Sequence, residues 1–180
     1  MTSTTETDRP GAPPHGLRWG IKASFVDYVR RMPGGRSTIS HGAGATGAEV
    51  LYAFDPTPPD ATPPGTARAW AFTGDVRFAG HGGMMFVRLA TPWLEVDADG
   101  GARLSIEDPY QRPDAPRVPL ADLTLARHPS PEADADGVEL WASHDVRLTA
   151  EAVELFNDVY AAGEPLDPLT VVVPIGSGTV

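Results

Sequence analysis

The chain contains no cysteine. Disulfide staples, thiolate metal sites, thioether-linked haem and a cysteine nucleophile are all excluded by that one absence. Lysine is nearly as scarce, with Lys22 the only one among 14 basic residues. Asp and Glu number 24, so the net charge is −10 and the pI is about 4.8. An acidic surface of this kind repels phosphate and anionic headgroups, which argues against nucleic acid and against a membrane surface as partners. Its plain role is solubility. No apolar run reaches the length of a helical membrane span. The opening MTSTTETDRPGAPPHG has neither the basic nor the apolar stretch of a secretory signal, so the expectation is a cytoplasmic chain, or a secreted one if the sequence is trimmed. The metalloprotease HExxH, the GxSxG elbow, the P-loop and the dinucleotide fingerprint are absent too. The scattered carboxylates offer no evident acid–base couple.

Glycine and proline are plentiful, at 19 each in 180 residues. Together with short alternating apolar stretches they predict many strands joined by turns. Residues 1–15 are polar and proline-rich and read as a disordered tail. Residues 17–31, LRWGIKASFVDYVRR, carry a helical period that puts Ile21, Ser24, Phe25 and Tyr28 on one face, and Pro33-Gly34-Gly35 stops that helix. Residues 36–55 read as a hairpin, and 56–65 as loop. Trp70, Phe72, Val76 and Phe78 alternate strictly. Residues 84–96 read as a strand pair or one bent strand, Asp99-Gly100-Gly101 as a tight turn, and 107–119 as loop. Strands follow at 120–126, 137–142 and 144–148. Residues 149–162, TAEAVELFNDVYAA, predict a second helix with Thr149 as N-cap, and LTVVVPI predicts a last strand. The fold class expected is mainly β: one domain over residues 16–176, an antiparallel β-sandwich or open barrel with two α-helices, one near each end.

Few residues offer chemistry. Ser24 and Tyr28 stand one turn apart on the same helix face, where a tyrosine is ordinarily a core residue with its hydroxyl satisfied. His81 sits in FAGHGGMM, between glycines that let the backbone turn and come close to another group. It reads as a ligand, a hydrogen-bond partner or, as the plainer reading, simply a loop residue. Tyr160 shares a helical interval with Val153 and Phe156, again the pattern of a core position. His15, His41, His128 and His144 have no partner at metal-ligand spacing.

Three ordered stretches resemble the HtaA (haem-transport-associated) family: LRWGIKASFVDYV at the start, FTGDVRFAGHGG in the middle and VYAAGEPLDPLTVVV at the end. The resemblance runs from about residue 16 to 174. It implies a domain that binds haem b, with Tyr28 as the iron ligand, Ser24 near the macrocycle at a propionate, and His81 paired with the ligand tyrosine. It also implies an aromatic pair packed on the porphyrin. Here the second of those positions is Tyr160 but the first is Val159, so one stacking ring is absent. Ile21, Phe25 and Met84 or Met85 are expected to complete the apolar wall. The function implied is non-enzymatic: ferric haem held for storage, relay or buffering, with haem and other haem-handling proteins as partners and a homodimer left open. Two other readings stand beside it: a haem-dependent peroxidase-like or haem-degrading enzyme, and an interaction domain whose haem site has decayed.

Overall fold

The computed structural model describes residues 15–46, 51–57, 66–112, 114 and 117–178. Of the expected tail, only His15 falls within them. In chain order the strands are β1 (Gly16–Trp19), β2 (Arg36–Ser40), β3 (Ala43–Thr46), β4 (Leu51–Thr57), β5 (Arg68–Thr73), β6 (Asp75–Gly80), β7 (Met85–Ala90), β8 (Trp93–Val96), β9 (Gly101–Glu107), β10 (Arg117–Thr124), β11 (Ala126–His128), β12 (Val138–Ser143), β13 (Val146–Leu148), β14 (Pro165–Leu166) and β15 (Leu169–Pro174). The α-helices are α1 (Ala23–Arg31) and α2 (Pro131–Ala135), with 3-10 turns at His81–Gly83 and Glu154–Phe156. All strand pairing is antiparallel. One long curled sheet runs β11-β12-β15-β1-β4-β5-β8-β9-β10-β13-β14, with β3 added on β4, and a separate sheet runs β2-β6-β7. The predicted class, antiparallel β with two helices, is what forms.

The two sheets share one core. Phe54, Phe72, Leu94, Leu104 and Ile106 from the long sheet are almost wholly buried, as are Val76, Phe78 and Leu89 from the short one. Burial of this apolar area is the main stabilising term. At one end of the short sheet a charge network ties the two together. Arg77 clasps the buried carboxylate of Asp75 through two hydrogen bonds of 2.8 and 2.7 Å, and Arg88 bridges Asp75 to Glu107 of the long sheet at 2.9 and 3.1 Å. Burial alone would raise the Asp75 carboxyl, but the two guanidinium groups outweigh it and hold it below its ordinary value.

Several local expectations are corrected. The helical period over 17–31 begins too early, because Leu17 and Trp19 are claimed by β4 on one side and β15 on the other. The expected hairpin over 36–55 is split between sheets: β2 pairs β6 and β3 pairs β4. The crossover is made at His41 and Gly42, both at positive φ. Likewise β7 and β8 part company at Thr91, φ 45°. Pro56 and Thr57 finish β4, and residues 58–65 lie outside the described set. The loop over 107–119 ends early because β10 starts at Arg117 and carries Pro119 at a bulge, where a missing N–H costs no ladder bond.

The segment 149–162 is not an α-helix. It has a single 3-10 turn at Glu154–Phe156, then Asn157 and Asp158 in the left-handed region. The Thr149 hydroxyl donates to Pro119 O at 2.7 Å rather than capping a helix. The period is real for one turn only, enough to bury Ala152, Leu155 and Phe156. The second helix is instead α2, where Ser130 accepts from Ala133 N and Pro131 occupies the first turn. Among the described residues no helix is long and apolar enough to cross a membrane.

Candidate functional site

Helix α1 begins in a socket built around Asp167. Trp19 donates its ring N–H to Asp167 O at 2.8 Å, Asp167 N donates to Ile21 O at 2.9 Å, and Ala23 N donates to the Asp167 carboxylate at 2.9 Å. A carboxylate brought from the far end of the chain thus serves the open N-terminus of α1 and its positive end. Gly20 makes this possible, since a Cβ there would lie 2.7 Å from the Asp167 carboxylate oxygen. Ile21 is held at φ 67°, a strained position for a β-branched residue that its surroundings must stabilise.

From this socket α1 presents Phe25 inward and Tyr28 outward. Phe25 is buried edge-on between Phe78 and Phe156, with centroids at 5.0 and 5.3 Å, and Phe156 in turn meets Tyr160 edge-on at 5.8 Å. Tyr28 is 51% exposed. Its hydroxyl lies 3.4 Å from His81 Nε2, at the outer edge of hydrogen bonding.

His81 owes its place to the glycines around it. At Gly80 a Cβ would lie 1.9 Å from Met32 Sδ, and at Gly35 a Cβ would lie 1.8 Å from Val29 O. The close approach these positions permit lets His81 N donate to Pro33 O at 3.0 Å. The histidine turn is thereby docked against the end of α1, and the imidazole reaches the phenol one turn back.

Tyr28 and His81 stand on the wall of a cavity of about 680 Å³ lined also by Phe25, Met84, Met85, Phe156, Asn157, Val159 and Tyr160. Its volume falls in the range of small-molecule sites. Seven of the expected residues therefore meet here: Phe25, Tyr28, His81, Met84, Met85, Val159 and Tyr160. Ile21 does not, because it is fully buried in the core. Ser24 is exposed one turn from Tyr28 and is not on the cavity wall. Phe156 and Asn157 were not foreseen as site residues. The Asn-Asp doublet was the available signal, since these two residue types tolerate the left-handed region best. Among the described residues no cluster of three or more His, Asp or Glu could cage a metal ion by itself.

Fold and site define a class: a β-rich domain whose curled sheet carries, beside one helix, a side-opening apolar cavity with a phenol–imidazole pair at its mouth. The family model HtaA matches residues 15–172, and the chain belongs to the HtaA family. Solved structures agree on the fold. The C-terminal domain of HtaA from Corynebacterium glutamicum superposes with a TM-score of 0.66 at 22% identity, covering 88% of this chain and 94% of that one. The domain-swapped dimer of its H434A variant gives 0.60 at 20%, covering 98% and 100%. The haem-binding protein HtaB from the same organism gives 0.64 at 17%, covering 88% and 91%. A search of curated proteins found no significant match.

Proposed function

We propose that this domain binds ferric haem b in the cavity beside α1, with the Tyr28 phenolate as iron ligand, and serves to store, relay or buffer haem rather than to transform it. The observation that carries the reading is the Tyr28–His81 pair at the mouth of an apolar, aromatic-walled cavity. A porphyrin brings its own equatorial donors to the iron, so it needs from the protein one axial oxygen and flat apolar walls. This site offers both. The haem-binding name of HtaB, a structural neighbour, supports the same reading.

Bound haem supplies a ferric centre that favours an anionic oxygen ligand. The residues do the rest. His81 Nε2, as a donor, stabilises the deprotonated phenol and fixes its direction. Phe25, Met85 and Phe156 exclude water from one side of the ligand. Met84 and Val159, 85% and 67% exposed, cover its rim.

Titration of the purified chain with hemin tests this. The expected result is a saturable Soret band with a high-spin ferric tyrosinate spectrum in the wild type, and loss of that spectrum in Tyr28→Phe with affinity at least about 100-fold lower, the scale of a lost charged-oxygen contact. Equal hemin affinity in wild type and Tyr28→Phe would exclude Tyr28 as ligand. Peroxide turnover well above that of free hemin would replace the carrier reading with an enzymatic one.

A further inference from the structure

Besides the wall of His81, Met84 and Met85 from the middle of the chain, the cavity has two walls that come from its opposite ends. One is α1, with Phe25 and Tyr28. The other is the irregular segment 156–160, which has only turn bonds of its own, such as Val159 N to Phe156 O at 3.2 Å. Asn157 and Asp158, both at positive φ, interrupt it. Lys22, at the N-cap of α1, spans the two walls. Its ammonium pairs with Glu164 at 2.8 Å, donates to Pro165 O at 2.8 Å and lies 5.1 Å from the centre of the Tyr160 ring. The side chain is only 13% exposed and that of Glu164 33%, so salt screens this pair less than a surface one.

We infer that Lys22 is a positioning residue of the cavity: paired with Glu164 and set over the Tyr160 ring, it holds the 156–164 wall against α1 and so sets how fast a bound molecule leaves. The identity of that molecule rests on the function proposed above. The chemistry separates this role from mere packing. A cation over a ring face fixes the ring's position, and a point charge on a flexible stem can hold a carboxylate, a carbonyl and a ring together. Without the charge, Glu164 is still open to water, so the fold survives while Tyr160 keeps only its edge contact with Phe156. Main-chain bonds of Gly163 and Glu164 with Leu148, at 2.7 and 3.0 Å, and the Asp167 socket fix the far end of the wall but not residues 157–162.

The test uses the full chain with two variants: Lys22→Met, which keeps most of the stem, and Lys22→Arg. In the ligand-free protein, amide exchange is read over 157–164 with the amides of β9 and β10 as internal reference. In the hemin-loaded protein, hemin transfer to excess apomyoglobin gives the release rate, and Soret circular dichroism reports the placement of rings beside the porphyrin. Lys22→Met is expected to speed exchange over 157–164 alone. It should also raise the release rate about ten-fold, equivalent to about 1.4 kcal/mol, and alter the Soret dichroism while leaving the tyrosinate spectrum intact. Lys22→Arg should restore the release rate to within about three-fold, because it keeps the charge. Unchanged exchange and unchanged release in Lys22→Met would overturn the inference, as would a loss of β9 and β10 protection equal to that of the wall. If the wild type takes up no hemin, the functional reading fails, and the exchange arm still decides the role of Lys22.

Discussion

The Tyr28 hydroxyl and the His81 Nε2 lie 3.4 Å apart across 53 residues of sequence. One comes from the helix and the other from a 3-10 turn at the end of the short sheet, and neither is near the other until the turn docks on Pro33.

That relation makes His81→Ala a graded lesion rather than a null. Under the proposed ligation the axial oxygen remains, while its hydrogen-bond partner is lost. Hemin affinity is expected to fall about 10- to 100-fold, the scale of a hydrogen bond to a charged group. The tyrosinate band of the complex should weaken. Hemin titration of the two proteins at one fixed pH checks both, and wild-type affinity in the variant would deny His81 this role.

Gly35 tests how the pair is assembled. Its absent Cβ would stand 1.8 Å from a main-chain oxygen, whereas Gly34 has open space around it. Gly35→Ala is expected to cost about 2–3 kcal/mol through forced backbone movement, or roughly 5–10 °C in Tm. Gly34→Ala should cost about 1 kcal/mol, from its positive φ alone. Thermal melts of the two variants give the comparison. Hemin binding measured well below Tm should suffer only in Gly35→Ala.

Much of this site was legible in the sequence, and the reasons are local. His81 stood out because glycines flank it, and glycines mark close backbone approach. Tyr28 stood out from its one-turn spacing to Ser24 only after the resemblance to the HtaA family gave it a role. What was illegible was set by distant partners. The helical period through Leu17 and Trp19 lost to strand pairing on both sides. Ile21 shared the helix face of Tyr28 in the pattern, but the Asp167 socket turns its backbone and buries it. The run 149–162 had helical composition, yet the Thr149 hydroxyl was taken by Pro119 O and two left-handed residues followed. By contrast the cap of α2 is a short-range signal that the sequence itself carries, in Ser130-Pro131.

Acid stability follows from two carboxylates. Asp75 is held low against its burial by Arg77 and Arg88. Asp108 is held low chiefly by the Arg112 side chain, with the backbone N–H groups of Arg112 and Tyr110 assisting. Both are more readily ionised folded than unfolded, so their contribution is complete above the unfolded value of about 3.9 and is lost as pH falls through the folded values. Tm is expected to be level from pH 7 to 5 and to drop below about pH 4. Asp75→Asn should cost about 2 kcal/mol at neutral pH, the scale of a lost charge-assisted hydrogen bond, since Arg88 keeps Glu107 and Arg77 is open to water, and should flatten the acid limb. Melts across pH 3–7 decide this, and an acid limb of wild-type steepness in Asp75→Asn would assign the drop elsewhere.

Val159 occupies a rim position where a ring would face the cavity. Val159→Phe is expected to slow hemin release about three- to ten-fold, the worth of an added aromatic contact. The Tm of the ligand-free protein should change little, because the site is 67% exposed. Stopped-flow transfer measures the effect, and a release rate equal to wild type would show that residue 159 does not meet the ligand.

The Asp167 socket gives the two ends of the described chain a common fate. The start of α1 is braced by Asp167, which lies 144 positions further along the chain from Ala23. Neither Gly20 nor Asp167 lines the cavity, so a lesion at either would reach the Tyr28 helix without touching the cavity wall.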